Sequence, residues 1–197
     1  MSFNEFKALI GATFRDPQGV ARHLMAQNWP VSARWMGCVL AATLSTILLY
    51  VGRMILISVL VPEGQPTVEP LQPLVTFPAQ FGALVVTAFL MAGVGRMFGG
   101  KGSYDDALLL VVWSEIPLLM LQALQLAVAL VSPMVAEYLG YAVVFFSLWL
   151  LVNLVMALHG FTSAAKVVLG ILGTVFAVAL LLTPIAMMLG LLPEMPQ

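Results

Sequence analysis

Residues 104–131 read YDDALLLVVWSEIPLLMLQALQLAVALV, and after Asp106 the only charged residue in that stretch is Glu115. At a rise of about 1.5 Å per residue, the run is long enough to cross the roughly 30 Å hydrocarbon core of a bilayer as one helix. Four more runs of this kind flank it, at about 35–61, 79–98, 138–158 and 165–192. Together the five take up most of the 197 residues and leave no length for a separate soluble domain. Composition agrees, with 61% apolar and 9% charged residues against roughly 25% charged in a soluble domain. The expected fold is an all-α polytopic membrane bundle of five transmembrane helices, preceded by an amphipathic interfacial helical segment at 1–34.

Lys and Arg favour the cytoplasmic side of a membrane. Lys7, Arg15, Arg22 and Arg34 precede the first span, Arg96 and Lys101 fall between the second and third, and Lys166 falls between the fourth and fifth. The other connections carry none, including the first loop, PEGQPTVEPLQPLVTFP (62–78), with its five prolines. Seven of the eight basic residues therefore share one side, and the eighth is Arg53 within the first span. The alternation predicts a cytoplasmic N-terminus and an external C-terminus. The first 34 residues are polar and mixed, with no short apolar core, so no cleavable signal peptide is expected.

In the N-terminal segment, Phe3, Phe6, Leu9, Ile10 and Phe14 recur at helical spacing. Asp16-Pro17 has the form of a helix start, an N-cap followed by proline in the first turn. Val20, Leu24 and Met25 then share a face opposite Arg22. Trp29 and Trp35 suit the headgroup zone. This pattern predicts one or two helices in the cytoplasmic interface, with packing against the end of the bundle as the alternative. Inside the spans, Gly37, Ala41 and Ser45, then Ala136 and Gly140, then Gly173 and Ala177 form small-residue stripes that allow close helix approach. Pro117 and Pro184 are expected to kink their helices.

A net charge of −1 gives no basic face for nucleic acid. Cys38 is the only cysteine and reads as a buried thiol. The stretch GRMFGGKG, Gly95 to Gly102, approaches the phosphate-binding pattern GxxxxGK[ST], but it ends in Gly102 and follows an apolar helix, not a strand. It reads as a glycine-rich turn, with Ser103 capping the next helix and Asp105 and Asp106 at its positive end. Neither His23 nor His159 has a ligand neighbour at helical spacing, and His159 reads as a wet interfacial residue. No catalytic, cofactor-binding or metal-binding residue is assigned.

Polar groups within the spans are Arg53, Glu115, Asn153, Gln122 and Gln125. Intramembrane charge is expensive, about 2.5–3.5 kcal/mol at the helix centre on insertion scales. Glu115 lies near the midplane, where desolvation disfavours the charged form. It is expected to be buried and protonated, with Ser114 and Asn153 as hydrogen-bonding candidates and Arg53 about 10 Å farther out. These groups either tie helices together or line a proton or solute path.

The stretches GGKGSYDDALLLVVWSEIPLLM and LWLLVNLVMALHGFTSAAKVVLGIL, with DPQGVARHLM ahead of the spans, resemble the Yip family of membrane proteins, named for interaction with Ypt/Rab GTPases. The glycine-rich turn, the proline-broken third span and the glycine turn after the fourth are similar to that family's layout. The chain has no long polar N-terminal region and no DLYGP-like stretch, which puts GTPase binding in doubt and makes it similar to the short bacterial members. The function of those short members is generally not known; the expected role here is a non-enzymatic scaffold or adaptor in a bacterial inner membrane, acting through helix packing and the amphipathic segment, in contact with the lipid bilayer and with other membrane proteins or itself. The alternatives are a small transporter or channel using Glu115, or an accessory subunit of a larger complex.

Overall fold

The computed structural model describes residues 2–60 and 72–188. The proline-rich loop up to residue 71, and the far ends of the first and fifth expected spans, lie outside them. Among the described residues seven helices follow in order: α1 Phe3–Thr13, α2 Pro17–Ala26, α3 Val31–Leu60, α4 Pro73–Met97, α5 Tyr104–Ala129, α6 Pro133–His159 and α7 Ala164–Met188. The last five are each long and apolar enough to cross a membrane. The chain is therefore an all-α membrane bundle with five candidate spans.

Local chemistry sets the ends. The Ser103 hydroxyl accepts from the Asp106 amide at 3.0 Å and starts α5. Gly160, at φ 72°, ends α6 in a left-handed conformation that a Cβ would disfavour. Three spans begin earlier than hydropathy suggested, at Val31, Pro73 and Pro133. Proline at a first helical position lacks only an N–H that would have no intrahelical partner. It therefore opens α4 and α6 several residues ahead of the expected spans.

Side chains from the start of α3, the end of α4, the start of α5, the end of α6 and the start of α7 gather on one face, here the N-terminal face. Arg34 of α3 pairs with Asp106 of α5 at 3.2 Å, and His159 of α6 bonds to α4 and to the α4–α5 turn. α5 is the hub, packing on α3, α4 and α6 and on both short helices. Leu108, Leu110, Trp113 and Pro117 are among its buried residues. The sequence stripes account for two of its contacts. A Cβ on Gly37 would sit 2.9 Å from Val112, and one on Gly140 2.6 Å from Gln125. The third stripe, Gly173 and Ala177, is exposed on α7. Large apolar side chains such as Phe145, Leu169 and Phe176 face outward, as a lipid-facing surface requires and a water-facing one does not.

α1 and α2 form a helical hairpin that leans into the bundle. A capping box between Ser2 and Glu5 starts α1, and the Asp16 carboxylate, accepting from the Gly19 amide at 2.8 Å, starts α2. Val20, Ala21 and Leu24 bury the inner face of α2 against α6 and α5. Amphipathicity predicted these helices; the face they bury turns to protein.

Candidate functional site

Three polar arrangements stand out, and the hairpin makes the first. Trp113 Nε1 of α5 donates to the Thr13 hydroxyl at 3.1 Å, and the Phe6 ring packs edge-on against Trp113. Gln18 Nε2 donates to Asn153 Oδ1 of α6 at 2.8 Å. Phe14 stacks on Phe146 with ring centroids 4.8 Å apart. Trp113 is nine residues into α5, about 14 Å from its start; Asn153 and Phe146 are about 9 and 20 Å from the end of α6. The hairpin tip therefore reaches well below the helix ends. Phe6, Leu9 and Ile10 pack against the buried core, while Phe3 is 69% and Phe14 41% exposed. Trp29 is partly buried, its Nε1 donating to Gln27 at 3.0 Å. Trp35 lies beside Phe81 and Tyr104. The expected membrane-surface residues thus divide between contacts inside the protein and an exposed remainder.

The second arrangement is centred on His159. It is buried, 6% exposed, so the expectation of a wet interfacial histidine is corrected. The Gly102 amide donates to Nδ1 at 3.1 Å, which leaves a proton on Nε2 facing the Met91 carbonyl at 2.9 Å. Phe161 stacks on the ring. A Cβ on Gly95, Gly100 or Gly102 would run into His159. The glycines that imitate a phosphate loop are thus a cradle for an imidazole. This linkage ties the end of α6 to the α4–α5 turn, and a histidine followed directly by glycine was the one sequence hint of it.

The third lies toward the opposite face. A cavity of about 1100 Å³ between α3, α5 and α6 is lined in part by Ser45, Arg53, Gln122, Gln125, Glu137 and Tyr141. Glu115 adjoins this lining through Ser45, accepting from the Ser45 hydroxyl at 3.2 Å. The expected partners of Glu115 are corrected: Ser114 donates to the Val111 carbonyl of its own helix, and Asn153 is engaged with Gln18. Arg53 lies two turns beyond Ser45, about 12 Å along α3. Gln125 Nε2 donates to the Ala136 carbonyl at 3.1 Å, joining α5 to α6. Arg53, Gln122 and Gln125 are thus brought together around one cavity, with Glu115 at its edge and Asn153 elsewhere.

A five-span bundle with a short helical hairpin at one face and a histidine-locked glycine turn defines a polytopic α-helical membrane protein. The Yip1 domain family's sequence profile matches residues 11–185, so the chain belongs to that family. The match opens within α1, takes in the hairpin tip, α2 and α3 to α6, and closes within the last turn of α7. No curated protein and no solved structure matches the chain.

Proposed function

We propose that this protein is a non-enzymatic membrane scaffold of a bacterial inner membrane and that the α1–α2 hairpin is its working part. The observation that carries this reading is the docking of the hairpin on α5 and α6 through Thr13–Trp113 and Gln18–Asn153. It adds two helices to one half of the bundle and, among the described residues, none to the other. The bundle is then broader at the N-terminal face, which loop charge favours as the cytoplasmic one because Lys7, Arg15, Arg22, Arg34, Arg96, Lys101 and Lys166 all belong to the segments of that half of the bundle. A shape broad in one leaflet favours membrane that curves toward that side. The exposed Gly173–Ala177 stripe of α7 offers a close-packing face for another membrane protein or a second copy.

Reconstitution into small and large vesicles tests this. With the N-terminal face outward, the full chain should be denser per lipid area in small vesicles. A variant lacking residues 2–28 should lose that preference while keeping its five spans. Equal densities for the full chain in both sizes would refute the wedge. Orientation is checked separately, since cysteines placed at 99–101 should be shielded from impermeant reagents in intact cells and one at Gln72 should react.

The polar outer cavity favours a second reading, solute binding or transport through Glu115. Against a through-path, Leu108, Leu110, Trp113 and Cys38 are all buried between Glu115 and the N-terminal face. Proteoliposome flux dependent on Glu115 would favour transport over scaffolding.

A further inference from the structure

α7 is the least embedded of the long helices. Val167 is the one residue it buries among those described, and its neighbours are α6 and α4. Between the three helices runs a groove of about 630 Å³, within the roughly 300–1,000 Å³ usual for ligand sites. Away from the α6–α7 turn its lining is mostly apolar, with Thr87 and Thr174 the polar exceptions. Leu90, Val94, Leu151, Val155, Ile171 and Val175 supply apolar walls. At the α6–α7 turn the lining becomes Thr162, Ser163 and Lys166. No lining residue is an acid, and Lys166 makes no ion pair among the described residues. The N-terminus of α7 lies at the same mouth, with Ser163 accepting from the Lys166 amide at 3.4 Å, and adds positive potential. Gly170 leaves the wall open, with nothing within 4 Å of where its Cβ would stand.

We propose that this groove holds one anionic phospholipid from the leaflet at the N-terminal face. An acyl chain would lie along the apolar walls, and the phosphate would meet Lys166 with the Thr162 and Ser163 hydroxyls. The charge chooses the occupant. A zwitterionic or cationic headgroup would find no carboxylate at the mouth, whereas an anionic one meets an exposed lysine and a helix N-terminus. The position in the fold agrees, because the groove opens between helices that lipid surrounds and its mouth lies at the level of their ends. The lipid would also fill the space that leaves α7 loosely attached.

The test uses the full-length chain in phosphatidylcholine bilayers containing spin-labelled phosphatidylglycerol or, separately, spin-labelled phosphatidylcholine. The wild-type protein should immobilise a fraction of the label and prefer phosphatidylglycerol by about fivefold, the effect of one lysine at a membrane surface. Lys166→Gln, a change at an exposed residue, should bring that preference close to one. Gly170→Leu should fill the groove and lower the number of immobilised lipids per protein by the one the groove holds, the lipids around the outer surface staying immobilised, with circular dichroism confirming that helix content is kept. The proposal is overturned if the wild-type chain shows no preference for phosphatidylglycerol, if Lys166→Gln keeps the preference, or if Gly170→Leu immobilises as many lipids per protein as the wild type while folded.

Discussion

His159 shows how one side chain can organise a whole end of the bundle. Its two ring nitrogens are engaged by Gly102 and Met91, and replacing it with alanine would leave a buried amide and a buried carbonyl without those partners. Each such loss typically costs about 1–3 kcal/mol. His159→Ala should therefore lower stability by roughly 2–4 kcal/mol, read as a drop in Tm in detergent. Gly95→Ala should produce a comparable drop from the other side of the contact, because its methyl would overlap the ring. Glu115 should behave differently. Glu115→Gln retains an acceptor for Ser45 and should leave the Tm nearly unchanged. Glu115→Leu loses the bond to Ser45 and should cost about 1 kcal/mol, the usual size of an interhelical hydrogen bond in a membrane. If Glu115→Gln abolishes activity while the protein stays folded, the carboxylate itself is functional and the transport reading moves ahead.

The helices differ in how far sequence could specify them. The five spans follow from hydropathy alone because each must bury or lipidate every turn, and Asp16-Pro17 and Ser103 announce their helix starts through capping chemistry. In α1 the cap is titratable. Glu5 accepts from the Ser2 amide at 2.6 Å, and hydrogen bonds from the Ser2 backbone and side chain hold its carboxyl below the usual carboxylate range. The stabilisation is complete above the ordinary Glu range and is lost as pH falls through the lowered value. The first turn of α1 should then fray in acid, seen as faster amide exchange at Glu5 and Phe6 after correction for intrinsic rates. In Glu5→Gln the pH dependence should vanish. Where the hairpin docks was beyond reach, since Thr13 and Trp113 are 100 residues apart and Gln18 and Asn153 are 135 apart. Amphipathic spacing shows that a face will be buried without saying whether protein or lipid covers it. Likewise Ser45 was visible only as a small residue in a stripe; its bond to Glu115 depends on the register between α3 and α5.

At the scale of the molecule, the account turns on asymmetry between its two halves, and that rests on the hairpin tip lying inside one leaflet. The protein suits a direct measurement because its only cysteine, Cys38, is fully buried and can be changed to serine to leave a clean background. A spin label at Phe14→Cys, 41% exposed at the tip, reports depth through its relative collision with oxygen, which concentrates in the acyl region, and with a polar nickel chelate, which stays in water. In bilayers, the label at position 14 should collide readily with oxygen and poorly with the chelate, while one at Asn28, beyond the end of α2, should show the reverse. If both positions are equally open to the chelate, the hairpin lies outside the leaflet and the wedge it forms does not exist.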